Sequence, residues 1–422
     1  MDIDARERGA AGGSRGYDSI SAPTAKTNLV RETRSLPWGN NDSGRATPSF
    51  IQTRRMGMHL GLETYAMSWL NILLVFVPLG LVSGYFGWQD YLVFTFNFLA
   101  ILPLAMILGK ATEDIALHTN ETIGGLLNAT FGNAVELILS INALRAGLLD
   151  VIKATLVGSI LSNLFLVLGM SLLCGGYVYM EQKVNPVVSE ANAGLLVMAS
   201  FGFLLPTAFT STMSSTEKKL HLDENVSLVI SICLLVLYFS YLFFQLFTHA
   251  SQFANEEVEG EGAGEDSPSL LTAMAVLVVS VLLVAVNSDY LVDSVAGFSE
   301  QLNLGSTFVS LMLLPLVGNA AEHMSAVTVA MKDKLDLSIG IACGSSVQIA
   351  AFVSPLMVLI SWIIGGSPRL TLDFHILESM CVFMAVFIVN TMLRDFTTNW
   401  LEGMVLVCGY FMLAGAVFFR VP

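Results

Sequence analysis

Two glutamates lie inside long apolar runs of this sequence, and each ends the same short motif. Glu136 closes a Gly-Asn-Ala-Val-Glu stretch, and Glu322 closes a Gly-Asn-Ala-Ala-Glu stretch. A carboxylate at the centre of a bilayer costs a few kcal/mol or more, so such residues normally face the protein interior and have a function. A lone buried glutamate could be a structural hydrogen-bonding residue, but repetition of the whole motif favours a functional pair.

Neutral oxygen and amide groups accompany both glutamates. Asn133 and Asn319 precede them by three residues and therefore share a helix face with them. The next apolar run of each half adds polar side chains at the same spacing, with one more beside that face. These additional candidate ligands are Ser159, Ser162 and Asn163 in the first half and Ser345 and Gln348 in the second. Hydrogen bonding between helices is the competing explanation for the serines and Gln348.

This donor set predicts a site for a hard cation. Ca²⁺ takes six to eight oxygen ligands, and two carboxylates match its charge. No His or Cys cluster supports zinc or copper. When the cation leaves, a buried carboxylate without a partner is driven towards its neutral form, so the same pair could exchange the cation for protons. His323, next to Glu322, could tune that proton or simply bond a neighbouring helix.

The two motifs belong to a longer internal repeat with an offset of 186 residues. The same offset, without a gap, aligns Asp150 with Asp336 and Gly158 with Gly344. Each half holds five apolar spans, an odd number, so the second half must enter the membrane in the opposite orientation. Inverted repeats of this kind are typical of secondary transporters, whose substrate site lies near the midplane between the repeats.

The composition is that of a membrane protein, with 54% hydrophobic and only 13% charged residues and a mean hydropathy of +0.68. A helix needs about 20 mostly apolar residues to cross the hydrocarbon core. Eleven runs meet this criterion, at residues 68–88, 91–110, 122–145, 152–175, 192–213, 225–247, 269–292, 305–330, 337–364, 374–393 and 399–420. The lipid bilayer is therefore the expected partner, nothing suggests nucleic acid, and a homo-oligomer is left open.

We therefore expect an all-α integral membrane protein with one leading helix and two inverted five-helix repeats. The expected segments are a disordered basic tail (1–66), the leading helix (67–89), the first repeat (90–250), an acidic linker or helix (251–268) and the second repeat (269–422). Nine Lys or Arg residues before residue 60 favour a cytosolic N-terminus, and eleven crossings then put the C-terminus on the other side.

The glycines at the start of each motif, Gly132 and Gly318, predict breaks in the helices that carry the glutamates. Pro315 lies shortly before the second glycine. A broken helix inside a membrane is tolerated where its free carbonyl groups line an ion site. The two glycines are therefore expected to expose backbone next to the candidate ligands.

These motifs resemble those of a known family. Residues 127–137 look like the first conserved repeat of the calcium/proton exchangers of the cation/calcium exchanger superfamily, and residues 318–323 and 331–345 look like the second. The match covers nearly all of the chain from about residue 60, and the acidic segment resembles that of fungal vacuolar exchangers. Cys343 departs from the small apolar residue expected there.

The resemblance implies a transporter of the vacuolar membrane rather than an enzyme. It implies that Ca²⁺ moves from cytosol to vacuole while protons return, and that Glu136 and Glu322 bind the two ions alternately. Ca²⁺ would then be the transported substrate and the proton the counter-ion, with no cofactor. It also implies that the acidic segment is a cytosolic helix near the Ca²⁺ entrance, although a solvated linker is the simpler alternative.

Three other functions have weaker support. A sodium/calcium exchanger on the same fold would need a further acidic ligand, where this chain has the neutral Ser162 and Gln348. An intramembrane hydrolase would need an activated nucleophile or paired aspartates, and no such motif lies in a span. A passive cation channel would not need paired titratable carboxylates in an inverted repeat.

The acidic segment allows a direct test of its role. Its six carboxylates between residues 256 and 266 create a negative potential that attracts divalent cations but is screened within about 8 Å at physiological ionic strength. Neutralising Glu256, Glu257, Glu259 and Glu261 to Gln should weaken the apparent cytosolic Ca²⁺ affinity without abolishing transport, and the loss should shrink as salt is raised. An unchanged Ca²⁺ dependence in low-salt vesicles would identify the segment as a simple linker.

Overall fold

Long apolar helices make up nearly all of the structure, a computed structural model that describes residues 69–214, 222–250, 253, 268–365 and 367–419. The basic tail, and the acidic residues at 256–266 with Glu256, Glu257, Glu259 and Glu261, lie outside these residues. Eight of the described helices are long and apolar enough to cross a membrane. The all-helical membrane fold expected from the sequence is confirmed, whereas the number of eleven crossings and the segment boundaries stay predictions.

The helices follow one another with short connections. After a 3-10 turn at Trp69–Val75, their bounds are α1 Phe76–Tyr85, α2 Asp90–Leu117, α3 Glu121–Phe131, α4 Ala134–Arg145, α5 Leu149–Val178, α6 Pro186–Thr212, α7 Leu222–Thr248, α8 Leu270–Asp293, α9 Val295–Gln301, α10 Ser306–Gly318, α11 Ala320–Ala330, α12 Leu335–Ile364, α13 Ile376–Met392 and α14 Trp400–Phe418. Two short antiparallel strands, β1 (Gln182–Lys183) and β2 (Thr397–Thr398), join the loops after α5 and α13.

Capping side chains fix where several of these helices begin. Asn120 accepts a hydrogen bond from the backbone of Ile123 before α3, and Asn185 accepts one from Val187 at the start of α6. Ser269 caps α8 in the same way. Because the first N–H groups of a helix have no partner within it, a polar residue at this position stabilises the start of the helix by about 1 kcal/mol.

The 186-residue offset found in the sequence also relates the helix boundaries. Helices α4 and α11 begin at positions separated by this offset, as do α5 and α12. Both α5 and α12 contain a π-helical stretch, Ser162–Val167 and Ile349–Val353, and the two stretches end at equivalent positions. The same backbone irregularity at the same place in both halves indicates that the repeats share their local structure as well as their motif.

The packing between the halves follows the same equivalence. Helix α2 packs against α8, its counterpart in the second half, and α6 packs against α13. The C-terminal half of α5 packs against α14, and the C-terminal half of α12 packs against α7. The first two contacts each join a helix to its own counterpart, and the last two contacts correspond to each other. This pattern is expected of two repeats related by a pseudo-two-fold axis.

Helix α1 lies outside this equivalence and packs on α2 and α8, the first helix of each half. Gly80 of α1 faces two fully buried amides, Asn97 of α2 and Asn287 of α8, and has no room for a side chain. The Asn97 amide donates a hydrogen bond to the Gly80 carbonyl at 3.3 Å. One turn later, Gly84 lies directly against the ring of Tyr290. Two glycines four residues apart thus allow α1 to approach both repeats closely.

One difference between the halves breaks the symmetry. Gly158 of α5 lies against α10, where an added Cβ would overlap the Leu311 carbonyl oxygen and the Pro315 ring. At the equivalent Gly344 of α12, no atom of the described residues lies within 4 Å. Helix α3, the counterpart of α10, instead contacts α2 and the last turn of α7. The space beside α10 is therefore closed, and the equivalent space beside α3 is open.

Candidate ion-binding site

Two helix breaks lie at the centre of the candidate site. Helix α3 ends at Phe131 and α4 starts at Ala134, while α10 ends at Gly318 and α11 starts at Ala320. Asn133 and Asn319 occupy the breaks, and both are only 2% exposed. The glutamates lie in the first turns of α4 and α11. Each motif therefore forms the start of a helix inside the protein, where the helix dipole favours a negative charge.

The Glu136 side chain is buried without a hydrogen-bond partner. It is 2% exposed, and neither of its carboxylate oxygens receives a hydrogen bond from another described residue. Its carboxylate lies against Gly318, and a Cβ at that position would overlap Oε1. Gly318 thus has a packing role in addition to the helix break, because only glycine lets the first-half carboxylate reach the break of the second half.

Glu322 has a different environment, since the residue is partly exposed. Its Oε2 accepts a hydrogen bond of 2.9 Å from the amide of Asn163. The same amide donates to the Ser345 hydroxyl, also at 2.9 Å. The two glutamates are close enough for their charges to interact. A cation bound beside them would therefore interact with both charges.

A network of side chains continues from Glu322 across the site. The Ser345 hydroxyl donates to the Asn133 carbonyl oxygen at 2.9 Å, and the Asn133 amide donates to Gln348 Oε1 at 2.5 Å. Opposite this network, the Asn319 amide donates to the backbone carbonyl of Ser159 at 3.1 Å. These bonds link α4, α5, α11 and α12, so residues from both halves hold one another in place.

The groups left without partners at this site are all oxygens. Those buried without a hydrogen bond among the described residues are Glu136 Oε1 and Oε2, Ser159 Oγ, Asn163 Oδ1 and Asn319 Oδ1. Unpaired buried acceptors are costly in a protein interior, and a cation satisfies several at once. Carboxylate, amide and hydroxyl oxygens are the ligands that Ca²⁺ prefers, so the donor set fits Ca²⁺ as a substrate.

The structure brings most of the sequence-predicted residues together. Glu136, Glu322, Asn133, Asn319, Asn163, Ser159, Ser345 and Gln348 form the cluster described above, with Gly132 and Gly318 at the helix breaks. Ser162 lies beside Tyr410 of α14, at the edge of this cluster. His323 is partly exposed next to Glu322. Within the described chain, no three or more His, Cys, Asp or Glu side chains cluster as a metal site.

Asn163 has a larger part in the site than its spacing suggested. The sequence placed it beside the face of Ser159 and Ser162, but it bonds both Glu322 and Ser345. The π-helical stretch that begins at Ser162 widens the turn and directs the next side chain into the site. Its position four residues after Ser159, which is also a same-face spacing, was the signal available in the sequence.

A protein-family model described as "Sodium/calcium exchanger protein" matches residues 90–247 and 272–419, one segment in each half. A Ca²⁺/H⁺ antiporter of Synechocystis is 43% identical over 363 residues, which cover 83% of this chain and 96% of the relative. The vacuolar calcium ion transporter of Schizosaccharomyces pombe is 39% identical over 355 residues, covering 83% of this chain and 85% of the relative.

The fold has a solved counterpart. A crystal structure of the Ca²⁺/H⁺ antiporter protein YfkE superposes with a TM-score of 0.68 at 32% sequence identity. The match covers 87% of this chain and all of YfkE. The two matched segments of the family model and this superposition both span the helices that carry the candidate ligands.

Substitutions at Asn163 and Ser162 should separate a central ligand from a peripheral one. Asn163→Ala removes the hydrogen bond to Glu322 and one candidate ligand oxygen, and should weaken Ca²⁺ binding about tenfold, or about 1.4 kcal/mol. Ser162→Ala is the matched control on the same helix and should remain close to wild type, because Ser162 lies beside Tyr410. Equilibrium binding of radiolabelled Ca²⁺ to purified protein measures both, and equal effects would contradict this assignment.

Proposed function

We propose that this chain, which belongs to the sodium/calcium exchanger protein family, is a secondary active antiporter that exchanges Ca²⁺ for protons. The observation that carries the proposal is the environment of Glu136, whose two carboxylate oxygens are buried beside Gly318 and near Glu322 without a donor from another described residue. The names of the relatives from Synechocystis and Schizosaccharomyces pombe support calcium as the substrate.

The coupling of Ca²⁺ transport to proton transport follows from the need to neutralise the charges of the two buried glutamates. An ionised carboxylate is very costly to bury unless it is paired or coordinates a cation. Glu136 has no hydrogen-bond donor among the described residues and Glu322 has Asn163, so either a cation or protons must compensate them. Ca²⁺ with two carboxylates is electrically neutral, and so are two protonated carboxyl groups. Each ion therefore excludes the other, and only these two loaded forms cross the membrane at low cost.

Alternating access is supported by the difference between the halves. The site is closed beside Gly158, where α10 packs on α5, and open beside Gly344. Exchanging the conformations of the two repeats would close the second space and open the first. With the N-terminus in the cytosol, as the basic tail predicts, the open side faces the cytosol, and the protein would load Ca²⁺ there and release it into the vacuole.

Transport in proteoliposomes tests the function. Vesicles loaded at acid pH and diluted into neutral buffer should take up Ca²⁺, and a protonophore that dissipates the gradient should stop the uptake. Loading the vesicles with Na⁺ at equal pH on both sides tests the sodium-driven alternative, and we expect no uptake. Sodium-driven uptake would make the protein a sodium/calcium exchanger, whereas uptake without any gradient of H⁺ or Na⁺ would make it a channel.

Glutamine at either coupling residue provides the control within the same assay. Glu136→Gln and Glu322→Gln keep the size and hydrogen-bonding capacity of the side chain but remove the charge and the titratable proton. Both variants should lose exchange while retaining normal amounts of folded protein. Near-normal transport by either one would contradict the coupling mechanism.

The glycine pair tests alternating access. Gly344→Ala places a methyl group in open space, so it should fold normally and bind Ca²⁺ from the open side, but obstruct closure and lower the turnover rate at least tenfold. Gly158→Ala introduces an overlap with Leu311 and Pro315 and should favour the opposite state. The accessibility to solvent of single cysteines introduced beside α3 and α10 measures how much of the protein is open beside each of these helices. A common shift in both variants would argue against the exchange of conformations.

A further inference from the structure

Two buried hydroxyl groups lie on the closed side of the candidate site. Ser140 and Thr155 are 2% and 4% exposed, and neither hydroxyl has a hydrogen-bond partner. Several other buried hydroxyls inside helices donate to the carbonyl four residues earlier, as Thr112 and Ser171 do. The two groups are thus left unsatisfied in a place where their own helices offer an acceptor, which calls for an explanation.

The positions of the two hydroxyls relate them to the site. Ser140 is four residues after Glu136 on α4, and Thr155 is four residues before Ser159 on α5, so each shares a helix face with a candidate ligand. Helices α4 and α5 pack against each other. Together with Val292 and Leu314, the two residues line one narrow gap that has no room for a water molecule.

The second repeat has no equivalent of this pair. At the offset of 186 residues, Ser140 corresponds to Ala326 and Thr155 to Ile341. The polar lining therefore belongs to the closed side alone, although the glutamates, asparagines and glycines of the two repeats correspond. A requirement common to both repeats would have placed hydroxyls in both, so the pair meets a need that is specific to one side of the membrane.

We propose that Ser140 and Thr155 line a water-filled half-channel that forms when the closed side opens and that delivers protons to Glu136. The inference rests on the proposed antiport, in which the closed side faces the acidic lumen. Opening that side separates α10 from α5 and widens the gap that Leu314 now helps to close. The two hydroxyls then bind water, whereas an apolar gap of the same size would stay dry. Water held beside Glu136 carries the proton to its carboxylate.

The test measures transport as a function of internal pH, at fixed external pH, in sealed vesicles whose lumenal face is inside. Thr155→Val keeps the shape of the side chain and removes the hydroxyl, and Ser140→Ala removes the other. Each should shift the internal pH of half-maximal Ca²⁺ uptake about one unit towards acid, a tenfold higher proton concentration, because protons reach Glu136 less readily. The external Ca²⁺ concentration for half-maximal uptake should not change.

Three control variants separate this role from packing. Thr155→Ser retains the hydroxyl and should keep the wild-type internal pH dependence. Ala326→Ser and Ile341→Thr introduce the hydroxyls at the equivalent positions of the second repeat and should leave the internal pH dependence unchanged. An unshifted profile in both Thr155→Val and Ser140→Ala, or an equal loss of rate at every internal pH, would overturn the half-channel. If wild-type protein showed no proton-driven uptake, the antiport itself would fail instead.

Discussion

The main physical constraint on the candidate site is the free-energy cost of burying a carboxylate in a membrane protein without a hydrogen-bond donor. Glu136 is the extreme case, since it is almost fully buried and both of its oxygens are unpartnered. The surrounding features either offset part of this cost or bring further oxygens to the same site. The helix start at Ala134 supplies a favourable dipole, Gly318 lets the carboxylate reach the second repeat, and oxygens of Asn319 and Ser159 face the same site. A site incomplete without a cation or a proton is suited to exchanging the two.

The second glutamate gives the proposed exchange site two unequal carboxylates. Glu322 carries the same motif but receives a hydrogen bond from Asn163 and is partly exposed. An ion arriving from the open side therefore meets the better solvated carboxylate first and the isolated one second. The network through Ser345, Asn133 and Gln348 joins Glu322 to residues of the first repeat, whereas Glu136 lies outside it. Symmetry of sequence thus coexists with an asymmetric site.

Much of this arrangement could be predicted from the sequence because it depends on composition and register. Buried carboxylates in apolar runs and a gap-free offset of 186 residues are visible without a structure. The central position of Asn163 was not predictable from helical spacing alone, because a π-helical stretch changes the direction of its side chain. The closed and open spaces beside Gly158 and Gly344 were hidden too, since the two glycines look identical in the sequence. A conformational difference between equivalent segments leaves no trace in residue types.

The leading helix α1 has a consequence for the energy of the transport cycle. Two repeats that were identical and free to exchange conformations would populate both states equally, and the protein would have no preferred resting state. Helix α1 has no counterpart, and it contacts Asn97 of one repeat and Asn287 of the other on either side of Gly80. Any change in the distance between those amides alters the packing of α1. The packing energy of α1 therefore contributes to the free-energy difference between the two conformations of the proposed cycle. In the proposed cycle, this unrepeated helix is therefore one of the elements that set which side of the membrane the empty protein faces at rest.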